Sequence, residues 1–193
     1  ALSSPLNNPR GLAYNDATET LYIAEYSGSR VKYINNTGTV FIGMGAGGSH
    51  LAGDTAFNHD CNNPISLSLY SNNLYVGCYT QERVKRWDLA TGLAYVVAGD
   101  GGNDVAGNNA DPLLSGVGRP YGLHVDVNGI YIASYTGSVV RFVNHTGAPI
   151  TFWSGQPDQV TINPGNIATI MGDGGNGTTP ASGDPLSMDL GEP

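Results

Sequence analysis

LYIAEYSGSRVKYINNTGTV (Leu21–Val40), LYVGCYTQERVKRWDLATGL (Leu74–Leu93) and IYIASYTGSVVRFVNHTGAP (Ile130–Pro149) are three versions of one stretch. Working outward, each is preceded by a proline and a short apolar run: PRGLAYN from Pro9, PISLSLY from Pro64 and PYGLHVD from Pro120. Each is followed by an apolar run that ends near glycines: TVFIGMGAGG, AYVVAGDGG and IATIMGDGG. Every copy therefore offers four short segments rich in Val, Ile and Tyr, separated by Gly, Asn, Asp and Ser, which is strand-and-turn chemistry. No stretch sustains a helical period. Four-stranded units in series predict an all-β chain built as the blades of a β-propeller. One blade cannot bury both of its faces alone, so the unit must recur.

The order P-x-G-L-A, L-Y-I-A-x, R-V-x-x-x, then T-G followed by G-x-G-G resembles NHL repeats over nearly the whole chain. That resemblance implies an NHL-type propeller of six blades, of which three four-stranded antiparallel blades are present. The expected boundaries are about 9–48, about 61–102 and about 117–175, with 176–193 leading into a next blade. Two departures stand out. PISLS in the second unit lacks the glycine after proline, and APITFWSGQPDQVTINP (about 148–164) is inserted in the third, as an extra hairpin or a protruding loop. Three blades do not close a six-bladed ring and would leave apolar faces open. Two completions are consistent with this: a longer chain that supplies the other blades, or two copies that share a ring.

Composition narrows the partners. The 193 residues are 40% apolar and 12% charged, with 28 Gly and 11 Pro and a formal net charge of −8. Eight scattered basic residues do not make the stripe that a phosphate backbone requires, so nucleic acid and anionic membranes are not expected partners. No apolar run reaches the length of a membrane span, so membrane insertion is not expected. Three N-x-[ST] triplets begin at Asn35, Asn144 and Asn176, and the first two share a repeat position in what should be an exposed turn. N-linked glycans there, scarce lysine and the two cysteines point to an extracellular or cell-surface setting. Cys61 and Cys78 fall on the same end of one blade, where a disulfide would close a short loop. Two separate buried thiols are the alternative.

The candidate sites differ in strength. GMGAGG from Gly43 and GDGGNG from Gly172 match a dinucleotide fingerprint by letter, but loop rather than helix follows each, so turning the chain is the better role. Asp100, Asp104, Asp173 and Asp184 lie in the same inter-blade loops and are the only candidates for a bound calcium. They lack EF-hand spacing, and capping the loops is the alternative. No other metal or cofactor is expected. His124 sits on the innermost strand, facing either the channel or a neighbouring blade. The most regular feature is aromatic: Tyr26, Tyr79 and Tyr135 share one repeat position at the turn between second and third strands. Arg10 and Tyr121 follow the anchor prolines. These five should meet at one end of the propeller as a binding face for other protein chains or copies of the same chain. The alternative is that each tyrosine packs over its own turn. No catalytic set is recognisable, and the expected function is a non-catalytic module, with an extracellular glycoprotein filament or matrix assembly as its sharper form. The competing class is a metal-dependent lyase or hydrolase with its site at the channel mouth.

Overall fold

The alternation of apolar residues with Gly-, Asn- and Ser-rich turns folds into antiparallel sheets in a computed structural model that describes residues 4–45, 53–175 and 185–186. The first sheet runs β1 (Pro9–Asn15), β2 (Thr20–Glu25), β3 (Arg30–Ile34) and β4 (Val40–Met44) in spatial order. The second contains β5 (Asp54–Thr55), β6 (Pro64–Tyr70), β7 (Asn73–Cys78), β8 (Arg83–Asp88) and β9 (Leu93–Ala98). The third contains β10 (Pro120–Val125), β11 (Gly129–Ser134), β12 (Val139–Asn144) and β15 (Ile167–Met171). A separate hairpin, β13 (Ile150–Phe152) with β14 (Val160–Ile162), is the insertion. The chain is all-β with propeller architecture.

The second sheet gains a strand from the loop that leads into it. The two-residue β5 pairs with the outer edge of β9, so this sheet has five strands in the order β5-β9-β8-β7-β6. An edge strand that would otherwise present free N–H and C=O groups is thereby covered by the loop that leads into its own sheet. The third sheet uses the same device in reduced form. Ala110 bridges Ile167 on the outer strand, and the Asn108 side chain accepts from the Thr169 N–H.

The repeat is kept in its irregularities as well as its strands. The register slips in each sheet just after the anchor proline and again near the start of the third strand, at Val31/Lys32, Val84/Lys85 and Val140/Arg141. Such bulges re-aim side chains. Here each apolar member faces the following sheet or the hairpin, whereas the basic residue after it points back to the loop that leads into its own sheet. Lys32 Nζ donates to the Pro5 carbonyl at 2.9 Å and to Glu25 Oε1 at 2.9 Å. Lys85 Nζ reaches both the carbonyl and the carboxylate of Asp60. Arg141 is fully buried and spends its guanidinium on the carbonyls of Val105, Ala106 and Gly107.

The glycines after the fourth strands have a local reason. Gly45 and Gly99 take φ of +92° and +96°, and a Cβ on them would stand 2.3 Å from the Ser29 carbonyl oxygen and 2.2 Å from that of Glu82. The chain needs glycine to turn there, and Gly45 belongs to the GMGAGG stretch expected to turn the chain.

Two apolar cores fill the spaces between sheets. Tyr22, Ala24, Val31 and Met44 meet Leu67, Leu74, Val76 and Ala94 across the first. Tyr75, Val84 and Ala98 meet Val117, Ile130, Ile132 and Val143 across the second. A third cluster lies on the far face of the third sheet, where Phe142, Ala168 and Ile170 are covered by Ile150, Phe152, Val160 and Ile162 of the hairpin. Trp153 fastens it by donating its indole N–H to the Ile170 carbonyl at 2.9 Å. The insertion is thus a packed cap. The expectation that the third sheet's far face stands open is corrected for its outer half. The first sheet's free face does expose Leu12 (63%) and Tyr14 (54%), whose counterparts, Leu67 and Leu69 in the second sheet and Leu123 and Val125 in the third, pack into cores.

Candidate binding face

The five residues selected from the sequence come together at one end of the three sheets. Their placement follows from the anchor prolines. The residue before each proline offers its carbonyl to the backbone N–H of the repeat tyrosine: Asn8 to Tyr26 at 3.0 Å, Asn63 to Tyr79 at 3.2 Å and Arg119 to Tyr135 at 2.9 Å. Each tyrosine is thus held at the same height. The turns then continue through a positive φ at Ser29, Glu82 and Ser138.

Tyr79 is the hub of the array. Its ring centroid lies 5.9 Å from that of Tyr26, 6.2 Å from Tyr121 and 6.1 Å from Tyr135, and Tyr121 stacks on Tyr135 at 6.1 Å. These separations lie in the range where aromatic pairs attract. Arg10 stands over Tyr26 at 5.5 Å, with its Nε donating to Asn8 Oδ1. The four rings form one continuous surface across three sheets, so the expectation that each packs over its own turn alone does not describe them.

Sequence reasoning missed two members. Arg119 lies over the Tyr79 ring at 5.3 Å, a cation–π distance, and its Nε is 3.8 Å from Glu82 Oε1. Burial raises the Glu82 carboxyl above its ordinary value, Arg119 opposes that shift, and Asp100 and Asp104 add to it. The available signal was a disagreement among repeats. Arg119 occupies the place of Asn8 and Asn63, and Glu82 that of Ser29 and Ser138. Asn63 shows what the ordinary residue does, since its Nδ2 donates to the Tyr26 carbonyl of the preceding turn at 2.9 Å. The third repeat replaces that internal tie by a charged pair on the face.

The other candidates separate from this face or turn inward. Asp100, Asp104 and Asp173 each accept a bond from the backbone N–H two residues on, at Gly102, Ala106 and Gly175, and so cap their loops. Asp184 and Asn176 lie outside the described residues. Among the described residues no three His, Cys, Asp or Glu side chains are grouped to hold one metal ion. His124 is exposed, with its ring 5.8 Å from Tyr131 on the next strand. Cys61 and Cys78 are bonded, with Cα atoms 5.2 Å apart, and both are buried. Asn35 is half-buried in its turn. The turn after Asn144 is exposed at His145 and Gly147, but Asn144 itself is fully buried: its side-chain amide donates to the Ala148 and Ile162 carbonyls.

No helix among the described residues is long and apolar enough to cross a membrane. No family signature and no curated protein matches the sequence. Solved structures do match. A protein of unknown function from Bacteroides thetaiotaomicron superposes with a TM-score of 0.56 at 21% identity over 68% of this chain and 34% of its own. A structure of a nidogen/laminin complex matches at 0.52 and 14% identity, over 86% of this chain and 52% of the other. A streptogramin B lyase matches at 0.51 and 13% identity, over 84% and 42%. This chain spans about a third to a half of those chains, and at such identities the likeness establishes the β-propeller fold alone.

Proposed function

We propose that the chain is a non-catalytic propeller module that binds another protein through the face formed by Tyr26, Tyr79, Tyr121, Tyr135, Arg10 and Arg119. The observation that carries the reading is the continuity of these rings across three sheets, with Arg10 over Tyr26 at one end and Arg119 over the central Tyr79. Rigid amphipathic rings and stacked guanidinium groups give large contact area at small entropic cost, which is why Tyr and Arg concentrate at interface hot spots. A chain of similar fold in the structure of a nidogen/laminin complex supports the reading. We place the module, of NHL type, outside the cell. The Cys61–Cys78 bond is the support for that setting.

The partner need not be identified in advance for a test. Immobilised wild-type chain, a Tyr79→Ala variant and a control Leu114→Ser variant are compared as baits in extract from the native source. Leu114 is 78% exposed and lies off the face. A species held by wild type and control should be lost by Tyr79→Ala, with affinity falling about thirtyfold, as expected for a hot-spot loss of about 2 kcal/mol. Equal retention of every species by all three baits, with Tyr79→Ala folded, overturns the assignment.

The filament form of this reading rests on the first sheet's free face. Leu12 and Tyr14 stand where other copies pack against a preceding sheet, so they supply an apolar lengthwise contact for another copy or blade. Sedimentation of the isolated chain should show association that Leu12→Ser with Tyr14→Ser abolishes. A stable monomer across the micromolar range refutes it.

A further inference from the structure

We propose that Asn35 is an N-glycan acceptor and that Asn144, with the same triplet at the same repeat position, is not. The proposal rests on the extracellular reading above, and the experiment below separates the two. The third-to-fourth-strand turn is built in all three sheets by one side-chain oxygen. Asn35 Oδ1 accepts from the Thr37 N–H at 3.2 Å, the Thr37 hydroxyl at 2.7 Å and the Thr39 N–H at 3.1 Å. Asn144 Oδ1 accepts from the Thr146 N–H and hydroxyl, both at 2.8 Å. Asp88 does the same work in the second sheet, taking the N–H groups of Ala90 and Thr91 at 2.9 Å and 3.1 Å. Asp88 has no amide nitrogen, and its turn forms nonetheless. The turn therefore needs the oxygen and not the NH2 group, so the triplet's recurrence has a folding cause and what distinguishes the two sites is the nitrogen.

At Asn35 all three bonds fall on the oxygen, and the turn around it is open to solvent: Asn36, Thr37 and Gly38 are exposed. At Asn144 the nitrogen is consumed. Nδ2 donates to the Ala148 carbonyl and to the Ile162 carbonyl, each at 2.9 Å, and the residue has no exposed surface. These two bonds join β12 to both arms of the inserted hairpin. N-glycosylation exchanges one Nδ2–H for a bond to the anomeric carbon of an oligosaccharide, and the lipid diphosphate carrier leaves with the proton. At Asn35 the exchange costs the fold nothing. At Asn144 it removes one of the two donors that serve the Ala148 carbonyl and the buried Ile162 carbonyl, and it requires room for a sugar where the hairpin packs.

The experiment secretes the 193-residue chain from a eukaryotic host behind a cleavable signal, with Asn176→Gln in the background, and maps glycosylated peptides by mass spectrometry. An added Asp16→Asn substitution serves as an internal control, because it places an acceptor triplet with Ala17 and Thr18 in an exposed turn. The folded product should carry sugar on Asn35 and none on Asn144. Asn35→Asp, which keeps the turn-building oxygen as Asp88 does, should remove one glycan and leave the thermal midpoint in place. Asn144→Gln should leave the glycan and lower the midpoint. Sugar on the Asp16→Asn site with none on Asn35 overturns the proposal, as does folded protein bearing sugar on Asn144. Material from the native source without sugar, alongside recombinant chain glycosylated at Asn35, overturns the extracellular reading and leaves the acceptor assignment standing.

Discussion

Replacing Arg141 by alanine should destabilise the fold by about 3–5 kcal/mol, because hydrogen bonds to a charged group contribute about 1.5–3 kcal/mol each and more than one carbonyl loses its donor. Arg141 has no exposed surface, and its guanidinium donates to three consecutive backbone carbonyls, Val105, Ala106 and Gly107. The Ala106 carbonyl also takes the Gly116 N–H, so the Val105 and Gly107 carbonyls lose most. Val105 and Gly107 are half-buried, and each carbonyl left without its donor costs on the order of 1 kcal/mol. Burial lowers the Arg141 group to about 10, with Asp104 partly opposing the shift, so it remains cationic at neutral pH. Its folded value lies below its unfolded one, so its contribution should be level below about pH 10. Urea unfolding would measure the loss. Three comparisons sharpen it. Arg141→Lys should cost less than Arg141→Ala, because an ammonium can serve some but not all of the carbonyls. Lys85→Ala should come next, since Lys85 is buried against Asp60. Lys32→Ala should cost less than Arg141→Ala, because the Lys32 side chain keeps 16% of its surface in water and the buried Glu25 carboxylate it leaves behind still accepts the Asn7 N–H. Equal losses at all three positions would refute the view that this column staples each lead-in loop to its sheet.

The column was on view in SRVKYI, ERVKRW and SVVRFV, yet its role was not legible there. Strands repeat by a fixed geometry, so their residues could be placed by counting. The partners of Lys32, Lys85 and Arg141 lie in loops of unequal length, at Pro5, Asp60 and Val105–Gly107, and counting does not reach them. The same contrast divides the binding face. Tyr26, Tyr79 and Tyr135 could be aligned because each follows a second strand. Arg119 and Glu82 belong to different repeats, and only the packing of one sheet on the next makes them neighbours. Asn144 shows the limit from the other side. Its triplet reads like that of Asn35, but an insertion later in the chain folds back and takes its amide. The propeller was legible because each blade repeats its neighbour. What the repeats do to one another had to come from three dimensions.

Breaking the Cys61–Cys78 bond by paired Cys61→Ala and Cys78→Ser substitutions should cost about 3 kcal/mol, from the closure entropy of a loop of this size. The sulfurs join residues 17 apart, linking the loop that leads into the second sheet to the end of its second strand. The corresponding positions show that this is a joint and not a reactive centre. Glu25 holds the first lead-in by accepting the Asn7 N–H at 2.9 Å, and Ser134 holds the third by donating to the Val117 carbonyl at 2.6 Å. Glutamate, cysteine and serine at one repeat position are therefore three solutions to one mechanical problem. The second is the strongest because it is covalent. The paired variant keeps a hydroxyl at position 78, as the third sheet has at Ser134, so a hydrogen bond can recover part of the loss. Calorimetry should show the thermal midpoint falling by about 6–12 °C for a domain of this length. Hydrogen exchange should speed up first in residues 56–63 and leave the tyrosine face folded. If the bond were a switch for binding, reduction would change affinity at the Tyr79 face before it changed stability. A structural joint predicts the reverse order, and a wild-type midpoint unmoved by reductant, with both thiols shown to be free, would refute it.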